Sequence, residues 1–261
     1  MGEEQKKSWI FRIPHGVWLA ISLISAIVLW VVISTSEMGG LVFAAPWKVG
    51  EKLIGKLSDG TLLPHIGASL FRVITGFLIG FVVSIPVAFL MGWYSPIRNL
   101  IEPWIQFVRN IPPLAYIPLV IVGAGVNEKA KVIVIFIASF LVLVVTIYQG
   151  VRNVDPTLIK AARVLGAKDH DIFFKVVIPA STPFIFTGAR LGLSSALTTL
   201  VAAELTGASR GLGMMIQKAS GYYDMATVLL GIIIVGIIGM LLEKSVRFLE
   251  RRLTGWQETI A

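Results

Sequence analysis

The residues of this chain that could take part in covalent chemistry are few and do not form a recognisable set. Gly50, Gly55 and Lys56 have the spacing of a phosphate-binding glycine loop, but Leu57 follows where a serine or threonine would hold magnesium. The chain has no cysteine, and its three histidines are far apart in the sequence. We therefore predict no thiolate nucleophile, no metal site and no catalytic residue, and we do not expect this chain to be an enzyme.

Ionisable residues within apolar segments are stronger candidates, because a charge at membrane depth is costly and usually functional. Glu204 is interpreted either as the ion-pair partner of Arg72 or Arg210, or as part of a solute pathway. Arg109 precedes Pro112, where a broken helix could expose backbone groups to an anion. The alternative for Arg109 is a side chain that reaches toward the membrane surface.

Hydroxyl side chains near Glu204 give further pathway candidates. They could line a polar path or hydrogen-bond helices together, while Gly188 and Gly192, at helical spacing, indicate close helix packing. The complete set of candidate pathway residues is Arg109, Ser194, Ser195, Thr198 and Glu204.

The elements that must position these residues are membrane-spanning helices. The chain is 56% hydrophobic and 15% charged, and its charges lie between apolar runs long enough to cross a bilayer. The net charge of +8 could suggest nucleic-acid binding, but a nucleic-acid reader has a basic face and few apolar spans. We predict an all-α, polytopic membrane protein in which residues 1–261 form one domain with six spans, or five as the alternative. The predicted spans are Val17–Ser34, Ile66–Trp93, Ile105–Gly123, Lys131–Gln149, Phe184–Leu205 and Thr227–Leu242.

The distribution of lysine and arginine between alternate loops predicts that both termini are cytoplasmic. The apolar segment after Met1–Pro14 has no small-residue cleavage site, so we predict an uncleaved first span. On the outer side, short helices are expected at Trp47–Leu57 and Met214–Ala219. The predicted cytoplasmic cations are Lys6, Lys7, Arg12, Arg98, Arg152, Lys160, Arg163, Lys168, Lys175, Lys244, Arg247, Arg251 and Arg252.

The loop of residues 149–183 has the start and stop signals of ordered helices. Asp155 can cap a first helix whose first position is the following proline, and Gly166 can end it in the left-handed conformation. A second helix is predicted over Lys168–Val177 and is expected to end at Pro179. Four apolar residues of the second helix are expected to anchor it to the membrane bundle: Ile172, Phe173, Val176 and Val177.

This loop resembles the signature loop of binding-protein-dependent ABC permeases, which reads Glu-Ala-Ala, three residues, Gly, nine residues, Ile-x-Leu-Pro. The matching positions are Ala161, Ala162, Gly166, Val176, Ile178 and Pro179, with conservative changes at the two aliphatic ones. Lys160 stands where the family has Glu, so the contact made at that position is expected to differ.

The resemblance implies a type I importer permease fold and a loop that docks as a coupling helix into a separate ATPase subunit. ATP and Mg would be bound by that partner, and this chain would have no cofactor. The coupling residues implied by the resemblance are Lys160, Ala161, Ala162, Gly166, Ala167, Lys168, Asp169, His170 and Asp171.

Other segments narrow the resemblance to one subfamily. Pro112–Ala115, Gly150–Asp155 and Leu200–Leu205 look like the nitrate, sulfonate and taurine permeases, and Glu250–Thr254 with Trp256 looks like the taurine permeases. The implied solute is a small anion, and the preferred candidate is taurine or another alkyl sulfonate. The alternative solutes are nitrate, bicarbonate, aromatic acids and pyrimidine precursors.

The implied partners are ABC ATPase subunits, an extracytoplasmic substrate-binding protein and a second copy of the chain in a bacterial inner membrane. The residues alone leave open a stand-alone secondary transporter or channel driven by an ion gradient. A membrane-embedded enzyme is disfavoured, because no polar catalytic cluster is predicted at a common depth.

Overall fold

The computed structural model describes residues 14–254, and every regular element in that range is a helix. The predicted cytoplasmic Lys6, Lys7 and Arg12 and the tail residue Trp256 lie outside the described residues. The helices are α1 His15–Thr35, α2 Gly39–Val42, α3 Pro46–Ser58, α4 Leu62–Trp93, α5 Ser95–Arg109, α6 Pro113–Ala124, α7 Glu128–Arg152, α8 Pro156–Val164, α9 Asp169–Ile172, a π-helical turn Phe173–Val177, α10 Ile178–Leu205, α11 Leu212–Gly221 and α12 Met225–Leu253.

Five of these helices are long and apolar enough to cross a membrane, and the number is six if α5 and α6 together form one crossing. Five predicted spans each lie within a single helix, namely α1, α4, α7, α10 and α12. The irregular span predicted over Ile105–Gly123 is broken in the structure. It begins earlier, at Ser95, and its two parts differ in direction by 103°. Pro112, with ψ of 136°, is extended, and α6 opens at Pro113.

The centre of the bundle consists of α4, α7 and α10, which pack closely because small residues lie at their crossings. A methyl group added to Gly80 on α4 would lie 2.5 Å from the Ser139 hydroxyl oxygen on α7. On α10, a methyl group at Gly192 would lie 2.7 Å from Leu143 Cγ, which agrees with the close packing predicted there. Apolar side chains such as Ile135, fully buried, fill the remaining space.

The first helix and the short helices lie around this centre. Most side chains of the α1 span are exposed within a single chain and none of the span is buried, which fits a helix that faces lipid or another protein. The predicted short helices over Trp47–Leu57 and Met214–Ala219 are confirmed as α3 and α11. Gly50 and Gly55 lie inside helix α3, so their spacing does not form a phosphate-binding loop.

Candidate functional site

The first part of the loop of residues 149–183 folds as its sequence predicts. The Asp155 carboxylate accepts a hydrogen bond from the backbone N–H of Thr157 at 2.8 Å, which caps α8 and lowers the pKa of this exposed carboxyl. Gly166 follows α8 with φ of 81°, the left-handed conformation that glycine adopts without strain. Its N–H donates to the carbonyl oxygen of Arg163, and the N–H of Ala167 donates to that of Ala162, each at 3.0 Å. These bonds reverse the chain direction at a fixed angle.

The second predicted helix of the loop is continuous with the following span, so its expected end at Pro179 is wrong. Helix α9 covers Asp169–Ile172 and passes through the π-helical turn Phe173–Val177 into α10. In that turn the N–H of Ile178 donates to the carbonyl oxygen of Phe173, five residues earlier. Pro179 lies directly after this π-helical turn inside a continuous helical segment, where the regular hydrogen-bond ladder that proline would interrupt is already broken.

Apolar contacts anchor the loop to the helix bundle, as predicted. Ile172 is fully buried, and 1% of Val177 is exposed. The Phe173 ring meets the rings of Phe89 and Trp93 edge to face, with centroids 5.9 and 5.4 Å away. Both rings belong to the last turns of α4, so the loop packs directly against the end of that helix.

The predicted coupling residues lie together on one largely exposed surface, which we call the loop tip and define as residues 160–171. Within it, Ala162, Ala167 and Asp171 are partly buried. The two largest apolar side chains at the turn, Val164 and Leu165, are 87% and 86% exposed. Such exposure is unusual for apolar residues outside lipid and indicates a contact surface. The exposed predicted residues are Lys160, Ala161, Gly166, Lys168, Asp169 and His170.

A buried ion-pair network lies at the other end of the bundle. Glu204 and Arg72 have 0% and 2% of their side chains exposed, and Arg72 Nη1 lies 2.6 Å from Glu204 Oε1. The same carboxylate accepts hydrogen bonds from the Ser69 hydroxyl at 2.7 Å and from the N–H of Gly213 at 2.7 Å. Glu204 therefore pairs with Arg72, the first of its two interpretations.

Sequence reasoning missed the second acid of this network. Arg72 donates from Nε and Nη2 to the Glu128 carboxylate, the second of these bonds being 2.8 Å long, and from Nη1 to the carbonyl oxygen of Arg210. Lys131, buried one turn along α7, lies 3.7 Å from Glu128. The buried arginine and lysine thus balance two carboxylates. A signal was available in Arg72 itself, since an arginine inside an apolar span needs acceptors for all its donors.

Glycines allow the loop before α11 to close over this network. A methyl group on Gly211 would lie 2.4 Å from the Glu204 carboxyl carbon, and Gly211 has φ of 142°. Its N–H donates to His65 Nδ1 at 3.0 Å, and the N–H of Leu212 donates to the Ser69 hydroxyl at 2.8 Å. The network therefore fixes the start of α11 as well as three long helices.

The remaining pathway candidates are not brought together within one chain. Ser194 and Thr198 are exposed on one face of α10, whereas the Ser195 hydroxyl donates to the carbonyl oxygen of Ala138 on α7 at 3.1 Å. Arg109 is exposed at the end of α5, and Glu204 is enclosed in its network. A continuous pathway through a single copy is thus not formed by these five residues.

A polytopic helical bundle with an ordered, largely exposed loop at one end is the architecture of a multi-pass membrane subunit. Its relatives agree with this class. The chain belongs to the family of binding-protein-dependent transport system inner membrane components, whose model matches residues 76–255. It is a multi-pass permease subunit of an ABC importer.

Curated relatives cover most of the chain. It is 53% identical to a probable ABC transporter permease of Brucella abortus, over 84% of this chain and 88% of the relative. It is 36% identical to the taurine transport system permease of Escherichia coli, over 97% of this chain and 94% of that permease. It is 33% identical to a putative aliphatic sulfonates transport permease of Bacillus subtilis, over 93% of this chain and 89% of that permease. The resemblance to the nitrate, sulfonate and taurine subfamily is confirmed.

Solved structures support the fold. The chain is similar to a chain of the methionine ABC transporter MetNI in an inward-facing conformation, with a TM-score of 0.66 and 20% identity. The match covers 76% of this chain and 99% of the other. The predicted type I importer permease fold is confirmed. Membership of this family also decides against the alternative class that the residues alone left open, a stand-alone secondary transporter or channel.

Proposed function

We propose that this permease imports taurine or another alkyl sulfonate, and that a separate ATPase subunit drives it through the loop tip. The observation that carries the proposal is that the loop matching the family signature presents an ordered, largely exposed tip, residues 160–171, at a single end of the bundle. Adjacent apolar side chains exposed outside lipid are typical of a surface that another protein covers. ATP and Mg belong, in this proposal, to that partner.

The loop tip can transmit force because it is rigid and firmly attached. Gly166 fixes the angle between α8 and α9, and α9 continues without interruption into α10. Phe173 connects the same segment to the end of α4. Movement of the ATPase would therefore tilt α4 and α10 together, and rigid rocking of helix groups is how such importers alternate access.

We place the loop tip and both termini in the cytoplasm of a bacterial cell, with α3 and α11 outside the inner membrane. The described basic residues of the loop and of the end of α12 support this orientation, since cytoplasmic segments are rich in lysine and arginine. An extracytoplasmic substrate-binding protein would then deliver the solute at the end where Arg72 and Glu204 lie.

The pathway lies, in our proposal, between two copies of the chain. Ser194 and Thr198 form a polar line on an exposed face of α10, which a second copy would complete. Ser194 also lines a cavity of about 150 Å³ between α10 and α12, together with Arg190. Arg190 lies 3.5 Å from Glu250, and Glu243 also lines this cavity, so the preference for an anion rests on the relatives and not on the charge of the cavity. Arg109, Ser195 and Glu204 are also assigned to the pathway in this proposal. Because Glu204 is buried and paired with Arg72, its role would be to hold the helices around the pathway and not to contact the solute.

The choice of taurine or another sulfonate rests on the relatives. The taurine permease of Escherichia coli matches nearly the whole chain at 36% identity, but a bicarbonate permease of Synechococcus elongatus is also 30% identical. Nitrate, aromatic acids and pyrimidine precursors remain alternatives. Vesicles containing the chain, its ATPase and its binding protein should accumulate taurine; uptake of bicarbonate or nitrate instead would contradict the choice of solute.

Coupling can be tested at Gly166, whose conformation a β-branched residue does not tolerate. Gly166→Val has open space around its side chain but should strain the backbone by about 1–2 kcal/mol. We expect the variant to reach the membrane while solute uptake and transport-stimulated ATP hydrolysis fall at least tenfold. Both activities are measured in reconstituted vesicles.

Gly60 offers a matched control. It also has a positive φ, 70°, and open space around it, but it follows α3 at the opposite end of the bundle. Gly60→Val should therefore carry a similar backbone strain and leave coupling intact. Equal loss of coupling in the two variants, or none in Gly166→Val, would contradict a coupling role for the loop tip. Failure of any ATPase to co-purify with the wild-type chain would contradict the proposed partner.

A further inference from the structure

Residues 149–175, which include the loop tip, have an excess of positive charge that is not neutralised by the acids of residues 14–254. Residues 149–175 contain five lysines and arginines and three aspartates. Each aspartate already has a partner: Asp155 caps α8, Asp169 lies 3.5 Å from Arg163, and Asp171 lies 2.8 Å from Lys175. The guanidinium of the remaining arginine, Arg152, donates to the Tyr148 hydroxyl, which donates to Glu102.

Two cations are left over, Lys160 and Lys168. Both are exposed, and neither forms an ion pair with an acidic residue in the range 14–254. Lys160 lies one helical turn before Val164 on the same face of α8, and Lys168 follows Leu165 after the turn at Gly166. The two ammonium groups therefore flank the exposed apolar residues of the loop tip.

We propose that the ATPase groove that receives the loop tip is apolar at its centre and has acidic side chains at its rim, opposite Lys160 and Lys168. This inference rests on the proposed function, because it takes the ATPase as the occupant of this surface. Protein interfaces commonly have an apolar centre and a polar rim, and opposite charges at the rim select the correct partner. The groove thus excludes permeases whose loop presents an acid at the position of Lys160.

The loop tip would thus select the ATPase partner in addition to transmitting its movement. Val164 and Leu165 would contribute most of the affinity, because their apolar surface is removed from water in the complex. Lys160 and Lys168 would contribute mainly to the rate and selectivity of association, and their effect should weaken as salt screens the charges.

The test titrates the ATPase subunit that co-purifies with the wild-type chain against purified permease variants in lipid nanodiscs. Lys160→Glu and Lys168→Glu each turn an attraction into a repulsion, so we expect about tenfold weaker binding at low salt and a smaller difference in high salt. Lys218→Glu is the control, because Lys218 is also an exposed lysine but lies at the opposite end of the bundle. Its affinity for the ATPase should equal that of the wild type.

Charge exchange identifies the partner residues. An ATPase variant in which one acidic residue of the groove is replaced by lysine should bind Lys160→Glu better than it binds the wild type. Unchanged or tighter binding of both glutamate variants by the native ATPase would overturn the acidic rim and leave the proposed function standing. If the wild-type chain binds no ATPase, both proposals fall together.

Discussion

Glu204 is the most completely enclosed acid in the described part of the chain, and its removal should destabilise the bundle. Glu204→Ala would leave the Arg72 guanidinium, the Ser69 hydroxyl and the N–H of Gly213 without their shared acceptor. Breaking a buried pair in this way costs about 3–5 kcal/mol. Glu128→Ala removes an acid whose side chain is 50% exposed, so we expect a loss of about 1 kcal/mol.

Thermal unfolding of the purified variants in one detergent measures both effects. The unfolding temperature should be highest for the wild type, lower for Glu128→Ala and lowest for Glu204→Ala. Indistinguishable midpoints for the two variants would mean that burial does not set the strength of this network.

The network also illustrates which residue contacts a sequence can predict. Glu204 had to find a cation, because an unpaired carboxylate in an apolar environment is too costly, and Arg72 was one of two available partners. Glu128 gave no such signal. An acid in the first turn of a helix is favourable by itself through the helix dipole, so nothing in its position demands an arginine from α4. Its role depends on how α4 and α7 pack.

Helix packing can be tested where two helices meet without room for a side chain. A methyl group on Gly150 of α7 would lie 2.3 Å from Cβ of Phe184 on α10, and this atom cannot move without its backbone. Gly150→Ala should therefore force α7 and α10 apart and destabilise the protein by about 1–3 kcal/mol. On α4, a methyl group added to Gly67 would meet no atom of another element within 4 Å, so Gly67→Ala should stabilise its helix by up to about 1 kcal/mol.

Opposite shifts of the unfolding midpoint are thus expected from the same substitution in two helices. Destabilisation by Gly67→Ala would indicate that a contact from outside the chain, such as a second copy, covers that face of α4. A neutral Gly150→Ala would mean that the α7 and α10 crossing adjusts more readily than its geometry suggests.

Most helices could be predicted from apolar runs and end signals, but two features of the helices could not. The double proline predicted a break near residue 112, whereas the 103° turn depends on how α5 and α6 pack. Pro179 looked like a stop signal, and the chain instead continues through a π turn into α10. Proline breaks a helix only where its missing N–H and its ring conflict with the preceding turn, and the local register decides that.

The two functional regions of the molecule lie at opposite ends of the same helices. Helix α10 begins next to the loop tip and ends at Glu204, and α4 runs from Ser69 and Arg72 to the Phe173 contact. In the proposed mechanism, a displacement of the loop tip would reach the far network through these two continuous helices. This arrangement requires the ends to face different sides of the membrane.

That requirement can be tested directly, because the chain has no cysteine and introduced ones provide unique labels. Ser58→Cys and Ser209→Cys place thiols at exposed positions beside α3 and α11, and Asn153→Cys places one at the start of the loop of residues 149–183. In spheroplasts, a membrane-impermeant maleimide should label the first two variants and should label Asn153→Cys only after the membrane is permeabilised. Labelling of Asn153→Cys in intact spheroplasts would put the loop tip outside the cell, where no ATPase could drive it.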